Sequence, residues 1–122
     1  MDQDLVSRLM ADMDPALLTF LTTKVNSFVK WDLILFFHEN PHTTDTAENI
    51  ARYLGRNVEA TQAELAELAA ERVLTENRLG TMTVYSLTSD PEIRELIQRF
   101  GEASDDRQFR VKAIYHIIRS MR

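Results

Sequence analysis

A mainly α-helical fold with one small β-hairpin is the expected architecture of this chain. Three observations predict it. Apolar residues recur at helical spacing through most of the 122 residues, with capping residues and prolines between the stripes. The period switches to strand alternation only in RVLTEN and TMTVYSLT, on either side of Arg78-Leu79-Gly80. Glycine occurs three times, at Gly55, Gly80 and Gly101, so each is expected at a turn or a helix end.

The elements follow in order. Leu5, Val6, Leu9, Met10 and Met13 form a one-sided stripe. Asp14-Pro15 reads as an N-cap with proline at the first helical position, ahead of Leu17, Leu18, Leu21, Val25 and Phe28. Asn26-Ser27 either caps a new helix or lies within a continuous one. The helix running to about Glu39 carries Phe28, Trp31, Ile34, Leu35 and Phe37. It is apolar over much of its circumference and therefore belongs in the core. Asn40-Pro41 stops it. Thr44 or Asp45 can cap the next, short helix, with Glu48 placed as in a capping box. Its buried face is Ala47, Ile50, Ala51 and Leu54, and Gly55 fits a left-handed helix end. Asn57 caps a helix over NVEATQAELAELAAE, whose inner face is Val58, Thr61, Leu65, Leu68 and Ala69. After the hairpin, Asp90-Pro91 starts a helix with Ile93, Leu96, Ile97 and Phe100 inward, which Gly101 should end. Asp105 or Asp106 caps the last helix, with Phe109, Val111, Ile114, Ile117, Ile118 and Met121.

The string TAENIARYLGRNVEATQAELAELAAERVLTEN, followed by TMTVYSLT and preceded by WDLILFFHENP, resembles the winged helix-turn-helix superfamily of bacterial transcriptional regulators. The resemblance covers about half of the chain. It implies three parts: an N-terminal helical extension over 1–26, a winged helix-turn-helix domain over 27–88, and a C-terminal helical extension over 89–122. TAENIARYLG looks like the first helix of the motif, GRN the tight turn, the helix from Asn57 the recognition helix, and the hairpin the wing. Family members usually carry glycine where this recognition helix ends. Here the place belongs to Arg72, which would have to hold a left-handed conformation at some cost.

What the resemblance implies about function is double-stranded DNA binding and transcription regulation. The residues positioned for it are Arg56, Asn57, Gln62, Arg78, Lys30 and Thr44, with Lys24 nearby. Gln62 is a side chain that can read adenine. The charge pattern opposes that reading. The chain carries 14 basic and 19 acidic residues, a net charge of −5, whereas DNA binders present a basic face. The helix from Asn57 to Glu71 holds Glu59, Glu64, Glu67 and Glu71 and not one Lys or Arg. The only positive block is the tail, with Arg107, Arg110, Lys112, Arg119 and Arg122 against Asp105 and Asp106.

The alternative is a protein-interaction module that does not bind DNA. Glu59, Ala63, Ala66, Glu67 and Ala70, with Ala60, would form a docking face on the recognition-like helix, where small side chains let another helix approach closely. Val111, Ile114, Ile118 and Met121, spaced 3, 4, 3, form a coiled-coil-like seam expected to support a homodimer.

Other chemistry has little in its favour. There is no cysteine, which excludes disulfides and thiolate metal sites. His38 and His42 flank a helix-breaking Asn40-Pro41, so a shared metal-binding face is not expected. No phosphate loop, nucleophile elbow or HExxH occurs, and neither an enzyme nor a cofactor is expected. No apolar run approaches the roughly 20 residues that span a bilayer, and the N-terminus lacks a secretory n-region. A cytoplasmic protein without a membrane partner is the expectation.

Overall fold

The computed structural model describes residues 13–121. The stripe Leu5, Val6, Leu9 and Met10, and Arg122 of the tail, lie outside the described residues. Among those described are six helices and a three-stranded antiparallel sheet. They are α1 (Pro15–Lys24), α2 (Phe28–Glu39), β1 (Thr44–Thr46), α3 (Ala47–Leu54), α4 (Val58–Ala70), β2 (Leu74–Leu79), β3 (Met82–Leu87), α5 (Pro91–Ala103) and α6 (Arg107–Ser120). The fold is mainly helical, as the apolar periodicity predicts. Among the described residues no helix is long and apolar enough to cross a membrane.

Local chemistry explains most boundaries. Asp14 accepts from Ala16 N at 2.9 Å and Pro15 opens α1. Ser27 accepts from Lys30 N, which makes α2 a fresh helix rather than a continuation of α1. Asn57 accepts from Ala60 N at 2.9 Å and starts α4. Asp106, not Asp105, caps α6. Gly55 ends α3 with φ 66°, the left-handed position where a side chain would be strained.

Three local expectations change. Thr44–Thr46 is a strand, paired antiparallel with β3 so that Thr44 faces Ser86 and Thr46 faces Val84. The hairpin is thereby a three-stranded sheet in the order β1-β3-β2. Thr46 rather than Thr44 or Asp45 caps α3, while Asp45 Oδ1 accepts from Thr46 N and from Asn49 Nδ2. Gly101 does not end α5, which continues to Ala103. It is buried, and a Cβ there would sit 2.2 Å from the His38 ring, so glycine serves close approach of α5 to α2.

One apolar core runs through α1, α2, α3, α4, the sheet, α5 and α6. Phe100 is its aromatic centre, with Phe20, Trp31 and Phe109 at ring-centroid distances of 5.7, 5.5 and 5.7 Å. The helices on either side of residues 27–88 thus share a core with the segment between them. On α4, Thr61, Leu65 and Leu68 are buried as expected, whereas Val58 is 39% exposed. On α6 the buried face is Phe109, Ala113 and Ile117, and Val111, Ile114, Ile118 and Met121 stand outside it.

Candidate functional site

Helix α4 packs against α3, α2 and β2. With Thr61, Leu65 and Leu68 turned into the core, the 3.6-residue period leaves two further faces. One carries Glu64, Glu67 and Glu71 toward α1 and α2. The other carries Glu59, Ala60, Gln62, Ala63, Ala66 and Ala70, all exposed.

The first face is a ladder of ion pairs. Lys24 Nζ lies 2.8 Å from Glu71 Oε2. Lys30 Nζ donates to Glu67 Oε1 at 2.9 Å and to Asn26 Oδ1 at 2.7 Å. It also lies 3.2 Å from the buried Oε2 of Glu64, an ion pair outside hydrogen-bonding angles. Burial pulls the Lys30 ammonium toward neutrality, but Glu67 and Glu64 outweigh it and hold its pKa above the usual value. The hydrogen bond from Lys24, followed by its charge, lowers the Glu71 carboxyl. Three of the four glutamates that oppose a nucleic acid are therefore met by cations from behind.

Pairing within the fold engages the cations near α4, although Lys24 and Arg56 keep side-chain exposures of 26% and 34%. Lys30 is 4% exposed. Arg56, in the turn between α3 and α4, grips Asp32 Oδ2 through Nη2 at 2.6 Å and Nε at 2.7 Å. Asn57 spends its side-chain oxygen on the α4 cap. Thr44 lies on β1 and lines a different groove from Gln62. Gln62 and Arg78 remain exposed, and Arg78 pairs across the hairpin with Thr83. Gln62 shares a pocket of about 250 Å³ with Thr46, Glu48, Met82, Thr83 and Tyr85, where α4 meets the hairpin. Leu79 and Met82, facing each other beside the Gly80 turn, are 56% and 52% exposed.

Of the interface candidates, Ala63, Ala66 and Ala70 form an exposed strip. Ala66 and Ala70 border a groove of about 480 Å³ with Arg72, Leu74, Glu76 and Asp90. Arg72 has φ 66°, the left-handed conformation expected where the helix ends without glycine. The seam residues Val111, Ile114, Ile118 and Met121 are 40%, 41%, 53% and 58% exposed. In the tail, Arg110 Nη1 donates to the carbonyls of Ser104 and Asp105, tying the α5–α6 turn. Among the described residues no three His, Asp or Glu side chains stand close enough to hold a metal ion.

One feature lies beyond any sequence motif. The Phe36 and Tyr53 rings stack at 6.1 Å and 18° across the α2–α3 seam, and Tyr53 is 67% exposed. They line a groove of about 600 Å³ with Glu39, Asn40, Thr44 and Asp45. No spacing rule joins residues on two different helices, so only the packed structure brings them together.

No protein-family model matches the chain, and no curated protein matches it either. Among solved structures, it is similar to one described as a possible transcriptional regulator from Methanosarcina mazei Go1. The two share 17% identity over 89% of this chain and 83% of the other, with a TM-score of 0.39.

Proposed function

We propose that the chain is a regulator-like winged helix-turn-helix protein, which meets duplex DNA through the outward face of α4 and the β2–β3 hairpin and acts as a homodimer joined through α6. The observation that carries this reading is the open outer face of α4. The helix follows α3 through a turn of Gly55, Arg56 and Asn57 and lies beside the hairpin. Its glutamates at 64, 67 and 71 are drawn to Lys24 and Lys30, leaving Gln62 and the small alanines toward solvent. The exposed α6 seam supports the dimer.

The footprint implied is small. With Lys30 and Arg56 engaged internally, Arg78 is the candidate cation left for phosphates, and binding should be weak and only mildly salt-dependent. A dimer making about two to four phosphate contacts has a log–log salt slope of roughly −2 to −4. Selection from random duplexes at low salt, followed by titration at two salt concentrations, tests this. A selected sequence whose binding is lost in Arg78→Glu and reduced in Gln62→Ala supports the reading. Failure of any duplex to be enriched removes it.

A second reading has its own observation. Lys24, Lys30 and Arg56 are all held by carboxylates, and Ala60, Ala63, Ala66 and Ala70 present a smooth exposed strip. This suits a partner helix better than a phosphate backbone. Arg78→Glu separates the two: it removes the cation offered to phosphate at the hairpin and leaves the alanine strip on α4 unchanged.

A further inference from the structure

The α2–α3 seam is built as a short ladder. At one end Asp32 of α2 receives Arg56. One turn along α2, Phe36 stacks on Tyr53, which lies near the end of α3, three residues before Arg56 of the turn. About one turn further, Glu39 is exposed at the end of α2, and among the described residues it pairs with no cation. Asp45 stands across the same groove. Its Oδ1 is occupied by Thr46 N and Asn49 Nδ2, and its second oxygen has no hydrogen-bond partner among the described residues. The ladder therefore has an internal arginine at its first carboxylate. At its second it has an open aromatic face and two carboxylates that meet no counter-ion among the described residues.

We propose that this groove is a docking site for an arginine side chain presented by a peptide segment of a partner protein. A guanidinium is planar, so it can lie on the exposed Tyr53 ring while its donors reach Glu39 and Asp45. Lysine offers a point charge and no stacking plane, so arginine is preferred. No residue of α4 lines this groove, so the site is separate from the α4 face and independent of whether that face meets DNA, and its two carboxylates disfavour phosphate-bearing ligands. The rim is ordered for the purpose. Asn40 Nδ2 donates to Phe36 O at 3.0 Å, and β1 holds Thr44 and Asp45 in register with β3. In the order β1-β3-β2, β1 is an edge strand, so an extended peptide can run beside it.

The test is a titration of the isotope-labelled full chain, followed by amide shifts. The probe is acetyl-Gly-Arg-Gly-amide, with its lysine and citrulline counterparts as comparisons. Shifts should centre on Phe36, Glu39, Thr44 and Tyr53. The arginine peptide should bind about fivefold or more tightly than the citrulline one, which keeps the shape and loses the charge. Glu39→Gln and Tyr53→Ala should each weaken binding by about fivefold to tenfold, while Tyr53→Phe retains it. Both positions are exposed, so the variants keep the fold, as their unfolding curves will verify. Equal affinity for the citrulline peptide, shifts centred on other carboxylates such as Glu59 or Glu92, or indifference to both variants would overturn the proposal. So would light scattering showing that the peptide competes with a second copy of this chain for the groove.

Discussion

Lys30 Nζ of α2 lies 2.9 Å from Glu67 Oε1 of α4, with the lysine side chain 5% exposed and the glutamate 60% exposed. A cation that could have met phosphate is instead buried, and a carboxylate that would have repelled phosphate is neutralised. The contact works on both sides of the functional question at once. It makes α4 less hostile to an anion and leaves less to hold one: two lysines stand against Glu64, Glu67 and Glu71, so one negative charge remains on that ladder besides Glu59.

Replacing Lys30 by Met should cost about 3 kcal/mol, because the buried oxygen of Glu64 loses its counter-ion. The double variant Lys30→Met with Glu64→Met should recover most of that loss, since a buried pair replaced by apolar groups of similar size is often close to neutral. Glu67 is open to water and needs no replacement. Urea unfolding of the two variants measures the difference. Equal stabilities would show that Glu64 is solvated rather than dependent on Lys30.

Arg72→Gly should stabilise the chain. At φ 66° a non-glycine residue carries a steric cost of roughly 1–2 kcal/mol. Glycine removes it but adds freedom to the unfolded state, so the net gain is about 0.5–1 kcal/mol. The Arg72 side chain is exposed, so little packing is lost. A melting temperature unchanged or lowered in Arg72→Gly would mean that its side chain contributes more than the strain costs.

Stability should fall at alkaline pH. Burial, and then the hydrogen bond to Glu76, push the Tyr85 phenol up to about 12. Below pH 10, the ordinary tyrosine value, folded and unfolded chains are both protonated and the contribution is complete. Between 10 and 12 the unfolded chain ionises first, which draws the equilibrium toward unfolding. Lys30, whose folded pKa is also raised, loses its contribution as pH rises through and above its ordinary 10.5. Denaturant midpoints should hold below pH 10 and decline from there to pH 12, less steeply in Tyr85→Phe than in the wild type. Parallel declines would show that Tyr85 titrates alike in both states.

These contacts mark where sequence reading stops. The α3–turn–α4 succession was legible because its signals are local: Gly55 for a left-handed end, Asn57 for a cap, and apolar spacing between them. The strand at Thr44–Thr46 was not, because three residues are too few to show a period and the same residue types serve as caps. Gly101 misled because glycine permits both a helix stop and a close approach, and only the packed His38 ring distinguishes them. Lys30 and Glu67 are 37 positions apart, so nothing in the residue order announces that they meet. On α6 the stripe was visible, but which half would be buried depended on the placement of Phe100 and Trp31 around Phe109.

The exposed half of α6 yields the last prediction. Val111, Ile114, Ile118 and Met121 repeat at 3, 4, 3, the spacing of a two-helix seam. Four side chains of this size, about half exposed, amount to an apolar patch of roughly 350 Å² per copy, within the range that marks functional patches on monomers. Two such patches with their polar rims approach the roughly 1,200 Å² at which specific interfaces begin. Antiparallel pairing would set Ile114 against Ile118 of a second copy and Val111 against its Met121. Ile114→Asp and Ile118→Asp should then each convert a dimer to a monomer in light scattering. Neither residue belongs to the buried face of Phe109, Ala113 and Ile117, so the helical signal should be retained. The basic residues of α6 add a salt signature: because like charges approach in the pair, association should strengthen as salt is raised, the opposite of DNA binding. A wild-type chain that stays monomeric at high concentration and high salt removes the α6 seam as a self-association surface.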